Sequence, residues 1–552
     1  MKCPVCGTSA VENGVCFYCE ARKARRARVA VGAAATAAAT DRPGADHGPH
    51  AVMDIPDAKT TSPPPGTSSA PPSPNGDAGD RRPHVLVLGG GLAGLSCAHR
   101  LSKQGYRITV VEQYDEVGGL ASSGTITTPW GEFDYDTGPH RFHTGEKHLN
   151  DEVLELLGDN VVTANRLSRI FLYGRFFNYP LVGSNVVKSL PKSVLLKCGL
   201  DYAWIKIKNV FARKPDDNFE NWVVNRFGRK LYEIFFGVYT AKTWGIPCTR
   251  ISADWAAQRI SLLSLWDTVK KTFFRPKHEN TPRTLVSKFF YPKRGGIGTL
   301  CRRYQEELEK KGNRVFVKTK VLSVKVENGR CVGAEVEGPE GRRFIAADST
   351  MSTVSCTDLA RMMSPAAPPE VIEAANRLKH RSMVFVYLVL DRPKLTDDHW
   401  IYLPEGDITL HRLSEYKNFS PYSAPPDKTL ICAEITCDYG DARWNQSDET
   451  LRDVTAKDLV KIGLIRKEEI LMTFSRRERY AYPLYDLDYK PNKDRVLAYL
   501  SSIPGLDTTG RQGLFKYNNM DHSIGMGLAA AENLMGRGDS HRKIADEQTY
   551  FG

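Results

Sequence analysis

The feature that most constrains this chain is a run of glycines between a short apolar strand and a helix. The strand is predicted at His84–Leu88, and Gly89, Gly91 and Gly94 follow it. The first glycine permits a tight turn, the second lets the backbone approach a pyrophosphate, and the third lets helix and strand pack closely. A second apolar strand ends at Glu112, where a carboxylate would accept ribose hydroxyls. Together these features predict a Rossmann-like, dinucleotide-binding fold.

A double glycine soon after Glu112 indicates which dinucleotide the fold binds. Gly118 and Gly119 come shortly after Glu112. This continuation resembles the FAD-binding families related to the amine oxidases, in which glycine fingerprint, acid and double glycine recur together. The resemblance implies FAD rather than free NAD. It extends to two later loops expected at the flavin, formed by Arg294, Gly295 and Gly296 and by Asp521, His522 and Ser523.

Composition divides the 552 residues into three zones. The length predicts two or three structural units. Residues 1–20 contain four cysteines, and residues 21–82 are rich in Ala, Pro, Ser, Gly and Asp, which is typical of a disordered tether. Residues 83–545 carry regular patterning and are predicted to form the FAD-dependent catalytic domain. Its FAD-binding parts are expected at about 83–150, 285–360 and 495–540, and its substrate parts at about 151–284 and 361–494.

The first zone has the spacing of a metal site. Its cysteines form two Cys-x-x-Cys pairs, Cys3 with Cys6 and Cys16 with Cys19. Four thiolates can surround one zinc ion tetrahedrally, and a segment this small has no core of its own. The spacing therefore predicts a small structural zinc knuckle on the tether, with no catalytic role. Chance spacing is the alternative.

Charge and targeting signals restrict the possible partners. The net charge of +12 suits an anionic ligand or an acidic surface. The basic cluster Arg22–Arg28 could contact nucleic acid or anionic lipid, but a solvated tether is the simpler interpretation, and no compact basic-aromatic module indicates nucleic-acid binding. No segment reaches the roughly 18 apolar residues of a membrane span. The N-terminus lacks a secretory pattern, which favours the cytoplasm.

Alternating strand and helix patterns set the fold class. Helices are predicted at Asn150–Leu157, Phe219–Phe227 and Leu300–Lys310. Two strands, Val315–Val326 and Arg330–Val336, are predicted to form a hairpin around an Asn-Gly turn. The pattern predicts an α/β protein, a Rossmann-like FAD-binding domain with an inserted mixed substrate domain and a helical part.

Several segments resemble UDP-galactopyranose mutases in particular. They are Gly138–Thr144, Tyr239–Gly245, Trp255–Ile260, His411–Tyr422 and Gly510–Tyr517. The resemblance implies that His143 lies at the flavin and that Arg259 and Arg412 hold a diphosphate. It also implies that Tyr517 contacts the diphosphate, whereas Arg511 could serve either the diphosphate or the flavin.

The implied substrate is a nucleotide-diphosphate sugar. Two arginines can bind a diphosphate through charge-assisted, forked hydrogen bonds. In the mutases, N5 of reduced flavin provides covalent catalysis and the sugar ring closes again in a contracted form. The flavin would have to be reduced by NAD(P)H or another reductant.

Two other classes of function stay open. A redox flavoenzyme of the protoporphyrinogen oxidase, amine oxidase or desaturase type shares the fold, and a fold does not determine its chemistry. An apolar tunnel in place of the arginines would favour a desaturase. The third class is a partner-binding protein in which FAD is only structural.

Overall fold

The computed structural model describes residues 11–12, 15–16, 81–179, 181, 183–259, 288–538 and 541–544. Of the proposed zinc ligands, Cys3, Cys6 and Cys19 lie outside these residues, and Cys16 ends a short strand, Val15–Cys16, which pairs with Val11–Glu12. Within the described ranges, no group of acidic, histidine and cysteine side chains has a metal-binding arrangement. No helix of the described part is long and apolar enough to cross a membrane.

A five-stranded parallel sheet forms the centre of the FAD-binding part. Its strands lie in the order Arg314–Phe316, Arg107–Val111, His84–Leu88, Ser349–Ser352 and Leu506–Thr508. Successive residues of the central strand enter two different cores: Val85 and Val87 face one, Leu86 and Leu88 the other. The first core also contains residues of the helices Leu92–Lys103, Lys147–Leu157, Thr299–Lys310 and Met520–Leu534. The predicted Rossmann-like α/β fold is therefore confirmed.

A four-stranded sheet covers the second core. Its strands lie in the order Gly341–Ala346, Arg330–Gly338, Lys320–Glu327 and Met363–Ser364. The predicted hairpin is present, with Asn328 and Gly329 at φ 50° and 75° in its turn. The predicted first strand is in fact two strands, because Lys318 at φ 51° breaks it and the earlier half joins the parallel sheet.

A seven-stranded mixed sheet forms most of the part that was predicted to bind the substrate. Its strands lie in the order Ile470–Pro483, His380–Leu390, Thr429–Cys437, Arg412–Glu415, Trp400–Tyr402, Ser168–Leu172 and Arg175–Asn178. Alternate residues of the second strand fill two cores, with Val384 and Val386 in one and Met383 and Phe385 in the other. The helix Asp448–Lys461 packs on the first of these faces.

A helical group packs beside this sheet. It comprises Lys192–Ala212, Phe219–Phe227, Arg229–Leu231, the π-helical turn Tyr232–Gly237, Val238–Trp244 and Ala253–Arg259. Phe219, Trp222 and Trp244 form its buried centre. The predicted helices appear at Lys147–Leu157, Phe219–Phe227 and Thr299–Lys310.

The remaining elements connect these layers. Two strand pairs lie apart from the large sheets, Ser123–Thr128 with Gly131–Asp136 and Val162–Asn165 with Lys288–Tyr291. The remaining α-helices are Gly183–Ser189, Cys356–Arg361, Pro369–Arg377, Tyr416–Phe419, Tyr489–Ser501 and Gly510–Gly513, and the 3-10 turns are Gly119–Ala121, Cys248–Arg250 and Lys467–Glu469.

Candidate functional site

A cavity of about 1020 Å³ opens at the carboxyl ends of the parallel strands. Gly89, Glu112, Thr353 and Gly510 each follow one of these strands, and all line the cavity. Ligands of open α/β sheets bind at this edge. The same cavity continues between the seven-stranded sheet and the helical group.

The glycine loop has the geometry that a bound pyrophosphate requires. Gly89 has φ 101°, a conformation that L side chains rarely adopt. A Cβ on Gly94 would overlap the carbonyl oxygen of Gly89, so only glycine allows this helix to approach the strand. A Cβ on Gly91 would meet only the carbonyl oxygen of Gly118, at 3.8 Å, and would otherwise extend into open space. That space, at a helix N-terminus, fits the phosphates of FAD.

Glu112 and the double glycine hold this loop in place. The Glu112 carboxylate accepts backbone N–H bonds from Gly90 at 2.8 Å and Tyr114 at 3.0 Å. Burial raises the pKa of Glu112, although these hydrogen bonds act in the opposite direction. Gly118 at φ 129° donates its N–H to the Gly90 carbonyl at 2.8 Å, and Gly119 lies beside it at φ 55°. Glu112, Gly118 and Gly119 were all predicted to bind the cofactor, and all three line the cavity.

The C-terminal loop contributes two of its three predicted residues to the cavity. Asp521 and Ser523 line it at the start of the last long helix. His522 instead lines a separate cavity of about 490 Å³. Its Nδ1 accepts the backbone N–H of Asn519 at 3.2 Å and so caps the helix.

The loop from Arg294 to Gly296 lies away from the cavity lining. Gly295 donates its N–H to Asp134 at 2.7 Å. A Cβ on Gly296, which has φ 64°, would meet Asp136 and Ser123 within 2.6 Å. The Arg294 side chain is exposed and donates to a backbone carbonyl at 3.4 Å. The structure therefore places Gly295 and Gly296 against the hairpin Ser123–Asp136, whereas the Arg294 side chain contacts the backbone of Tyr422.

Four of the five predicted catalytic residues line the same cavity. His143, Arg412, Arg511 and Tyr517 all line the cavity, although they come from distant parts of the chain. Arg259 is the last residue of the helix Ala253–Arg259, and its side chain lies outside the described part of the structure.

Arg412 is already paired within the protein. Its Nε and Nη2 donate to the two carboxylate oxygens of Glu434, at 2.5 and 2.7 Å. Burial by itself would lower the pKa of Arg412, but the attraction of Glu434 outweighs it, so the pKa lies well above its usual value. The pair fixes the guanidinium and neutralises much of its charge.

Arg511 has a different environment. Its two terminal nitrogens donate to the carbonyl oxygens of Asn518 and Ala481, at 3.0 and 2.9 Å. The guanidinium carbon lies 4.5 Å from the ring centroid of Tyr517 and 5.3 Å from that of Tyr482. No carboxylate of the described residues pairs with Arg511, and its Nε is buried without a hydrogen bond among them. This positive charge can attract an anion.

Arg141 also lines the cavity and was not predicted as a site residue. The Arg141 guanidinium lies 5.3 Å from the ring centroid of Trp400 and 5.7 Å from that of Phe289. Its Nη1 is buried without a hydrogen-bond partner in the described part of the chain. Burial and the neighbouring charge of Arg166 lower the pKa of Arg141 to about 10, so it stays charged at neutral pH. The sequence offers one signal, its place between His140 and His143.

His140 is neutral and has a defined tautomer. Burial lowers the pKa of His140 to about 4. Its Nδ1 lies 2.7 Å from the carbonyl oxygen of Gly138, which can only accept, so Nδ1 carries the proton. Nε2 is then the acceptor of a ring that lines the cavity.

Other residues that line the cavity were not predicted as site residues from the sequence. The hydroxyl-bearing side chains Tyr239, Tyr402 and Tyr482 line the cavity, and so does the segment Thr319–Val321. Burial raises the pKa of Tyr239 well above its usual value, so its hydroxyl is protonated and can donate.

Comparison with known proteins agrees with this geometry. A family model described as flavin containing amine oxidoreductase matches residues 209–486, and one described as NAD(P)-binding Rossmann-like domain matches residues 87–157. The chain is 24% identical over 206 residues to a Klebsiella pneumoniae protein described as "Probable UDP-galactopyranose mutase". That match covers 36% of this chain and only half of the Klebsiella protein.

Two further similarities cover much more of the chain. Coproporphyrinogen III oxidase of Bacillus subtilis is 22% identical over 83% of this chain and 98% of its own. The crystal structure of a reduced UDP-galactopyranose mutase superposes with a TM-score of 0.72 at 22% identity, covering 85% of this chain and 100% of that one. At this identity the likeness concerns the fold. Because the flavin family model spans just over half of the 552 residues, this protein belongs to the flavin containing amine oxidoreductases.

Proposed function

We propose that this flavoenzyme binds FAD at the glycine loop and isomerises a nucleotide-diphosphate sugar at the other end of the same cavity, as a UDP-galactopyranose mutase does. The observation that carries the proposal is Arg511, a guanidinium on the cavity wall that pairs with no carboxylate of the described residues. Removing a cation from water without a counter-ion is unfavourable, so such a residue indicates an anionic ligand.

The other cationic residues support a diphosphate. Arg141 is also without a carboxylate partner in the described ranges, and it borders the same cavity. Glu434 accepts one N–H from Nε and one from Nη2 of Arg412, so the two N–H groups of Nη1 and the second N–H of Nη2 stay available for a ligand. We therefore assign Arg511 and Arg141 the larger share of the anion's charge, and Arg412 a directional hydrogen bond held in place by Glu434.

The neutral polar residues suit a sugar. The hydroxyls of Tyr239, Tyr402, Tyr482 and Tyr517 can donate to ring and phosphate oxygens, and Nε2 of His140 can accept from a sugar hydroxyl. Tyr482 and Tyr517 stack with ring centroids 5.1 Å apart, which fixes both. These residues would orient the sugar and exclude water, while Arg511 stabilises the departing diphosphate.

FAD would be held by Gly91, Glu112 and the adjoining helix N-terminus. Reduced FAD, when bound, supplies the nucleophilic nitrogen on which this isomerisation depends. Zinc belongs to the same proposal as a structural ion at the four N-terminal cysteines. The support for zinc is the spacing of the two Cys-x-x-Cys pairs in the sequence, since Cys3, Cys6 and Cys19 lie outside the described residues.

A redox flavoenzyme is the second candidate. The observation in its favour is the length of the similarity to coproporphyrinogen III oxidase, which extends over 83% of this chain. The arginines do not exclude it, because a carboxylated substrate is also an anion. Nucleotide binding separates the two candidates.

Titration of the FAD-loaded protein with UDP, followed by calorimetry, tests the proposal. We expect UDP to bind, and Arg511→Gln to weaken binding by roughly 2–5 kcal/mol, the usual cost of removing one partner of a buried charge pair. The control is Arg377→Gln, an exposed arginine paired with Glu373 and absent from the cavity lining. Equal UDP affinity in the Arg511→Gln variant and the parent, or no UDP binding by the parent, would contradict the proposal.

A further inference from the structure

The helix Lys192–Ala212 carries an exposed apolar surface. Of the exposed large hydrophobic side chains in the described residues, seven lie between positions 187 and 211 and the others are scattered. Five of them follow one another on this helix at spacings of three or four residues, Leu196, Leu200, Trp204, Ile207 and Phe211. Their exposed fractions run from 57% to 85%. We call these five residues the apolar stripe. Contiguous apolar surface of this kind marks an interaction site.

The opposite face of the helix explains why the stripe is exposed. Val194 and Cys198 are buried against the strand and helix residues around Phe177 and Phe235. Asp201, one turn further on, accepts the backbone N–H of Lys230 at 2.9 Å. At 100° per residue these positions lie on the side away from the stripe. The helix is therefore fixed to the protein by one face and presents a second apolar face outward.

Basic side chains flank the stripe on both sides. With 100° per residue, Lys197 and Lys208 lie along one edge and Lys192 along the other. All three are exposed. The single acidic residue of the helix, Asp201, lies on the buried side. An apolar strip bordered by lysines matches the interfacial region of a bilayer, where acyl chains meet anionic headgroups and lysine stems extend to the phosphates.

We propose that this helix docks the protein on an anionic lipid surface, with the apolar stripe inserted between headgroups and the lysines at their level. The orientation is parallel to the membrane plane, because the stripe runs along the helix for about 22 Å at 1.5 Å per residue. The docking is peripheral. It is independent of the reaction in the cavity, since none of the five stripe residues lines the cavity.

Co-sedimentation of the full-length, FAD-loaded protein with lipid vesicles tests this proposal. We expect binding to phosphatidylcholine vesicles that contain about 30% phosphatidylglycerol, and much weaker binding to pure phosphatidylcholine. The double variant Leu200→Asp, Trp204→Asp should reduce binding at least roughly tenfold. Val460→Asp is the matched control, because Val460 is an exposed apolar residue on another helix. Flavin absorbance should be the same in all proteins.

A charge variant keeps the test decisive if the apolar variant fails to fold. Lys192→Glu, Lys208→Glu leaves the stripe intact and should abolish the preference for anionic vesicles. Equal sedimentation with neutral and anionic vesicles, or undiminished sedimentation of the folded apolar variant, would overturn the proposal. So would a dimer in light scattering that becomes monomeric in the apolar variant without vesicle binding, since a second copy would then cover the stripe.

Discussion

At the residue scale, the cofactor site was more predictable than the substrate site. Gly91 and Gly94 have roles that depend on local geometry, and a short sequence pattern encodes them. The role of Arg141 depends on the rings of Trp400 and Phe289, which are distant in sequence, so no local pattern indicates it. Arg412 was predicted as a ligand of the diphosphate, but its pairing with Glu434 depends on two neighbouring strands and could not be foreseen.

Substitutions at two glycines of the loop should have different consequences, one for FAD binding and the other for stability. Gly91→Val should fold and lose FAD, because its side chain would occupy open space needed by the pyrophosphate. Gly94→Ala should destabilise the fold, because the added Cβ would overlap a backbone oxygen of Gly89. Flavin absorbance and the thermal unfolding temperature measure the two effects. A Gly91→Val protein that retains stoichiometric FAD would contradict the assignment of this loop.

At the element scale, local patterns predicted the strands and helices around the glycine loop, whereas long-range pairing escaped prediction. The strand Ile470–Pro483 contains four consecutive charged residues, Arg476 to Arg479, and so does not look like a sheet strand. It pairs antiparallel with the strand His380–Leu390, and its charged side chains find partners, since Arg477 donates to Asp448 and Arg476 lies 3.6 Å from Glu116. Such partners are visible only after the chain has folded.

The free energy of unfolding should depend on pH through Asp136, which is hydrogen-bonded to the loop that follows the strand Lys288–Tyr291. This buried carboxyl accepts hydrogen bonds from Ser123, Ile297 and Tyr291, at 2.6 to 2.9 Å. Burial, opposed by these hydrogen bonds, raises its pKa from 3.8 to about 7. The folded protein therefore holds this proton between about pH 4 and 7, where the unfolded chain has lost it. Stability should fall as pH rises through this window, by up to roughly 4 kcal/mol.

Asp136→Asn should flatten this dependence, since an amide cannot ionise and still accepts the Ile297 N–H. Urea unfolding of both proteins at several pH values measures the slopes. Parallel curves for the two proteins would show that Asp136 does not cause the dependence.

At the scale of the whole molecule, the family assignment depends on the catalytic part, while the first 82 residues carry a separate prediction. The full-length protein should contain roughly one zinc ion, held by four thiolates. Cys3→Ser, Cys6→Ser should remove the zinc and leave the flavin spectrum unchanged, because the glycine loop and its supports lie in residues 84–119. Metal analysis measures the bound zinc, and the absorbance spectrum measures the bound flavin. Loss of flavin together with the zinc would mean that the two parts are not independent.

Anaerobic turnover of UDP-galactopyranose by the dithionite-reduced, FAD-loaded protein tests the central claim most directly. Product ring form and flavin absorbance should be followed in the same sample. We predict that the furanose isomer accumulates while the flavin stays reduced and no reducing equivalents are consumed, because an isomerisation has no net redox change. The account is contradicted if no UDP-hexose is converted and a substrate without a nucleotide, such as a porphyrinogen or an amine, stoichiometrically bleaches the oxidised flavin.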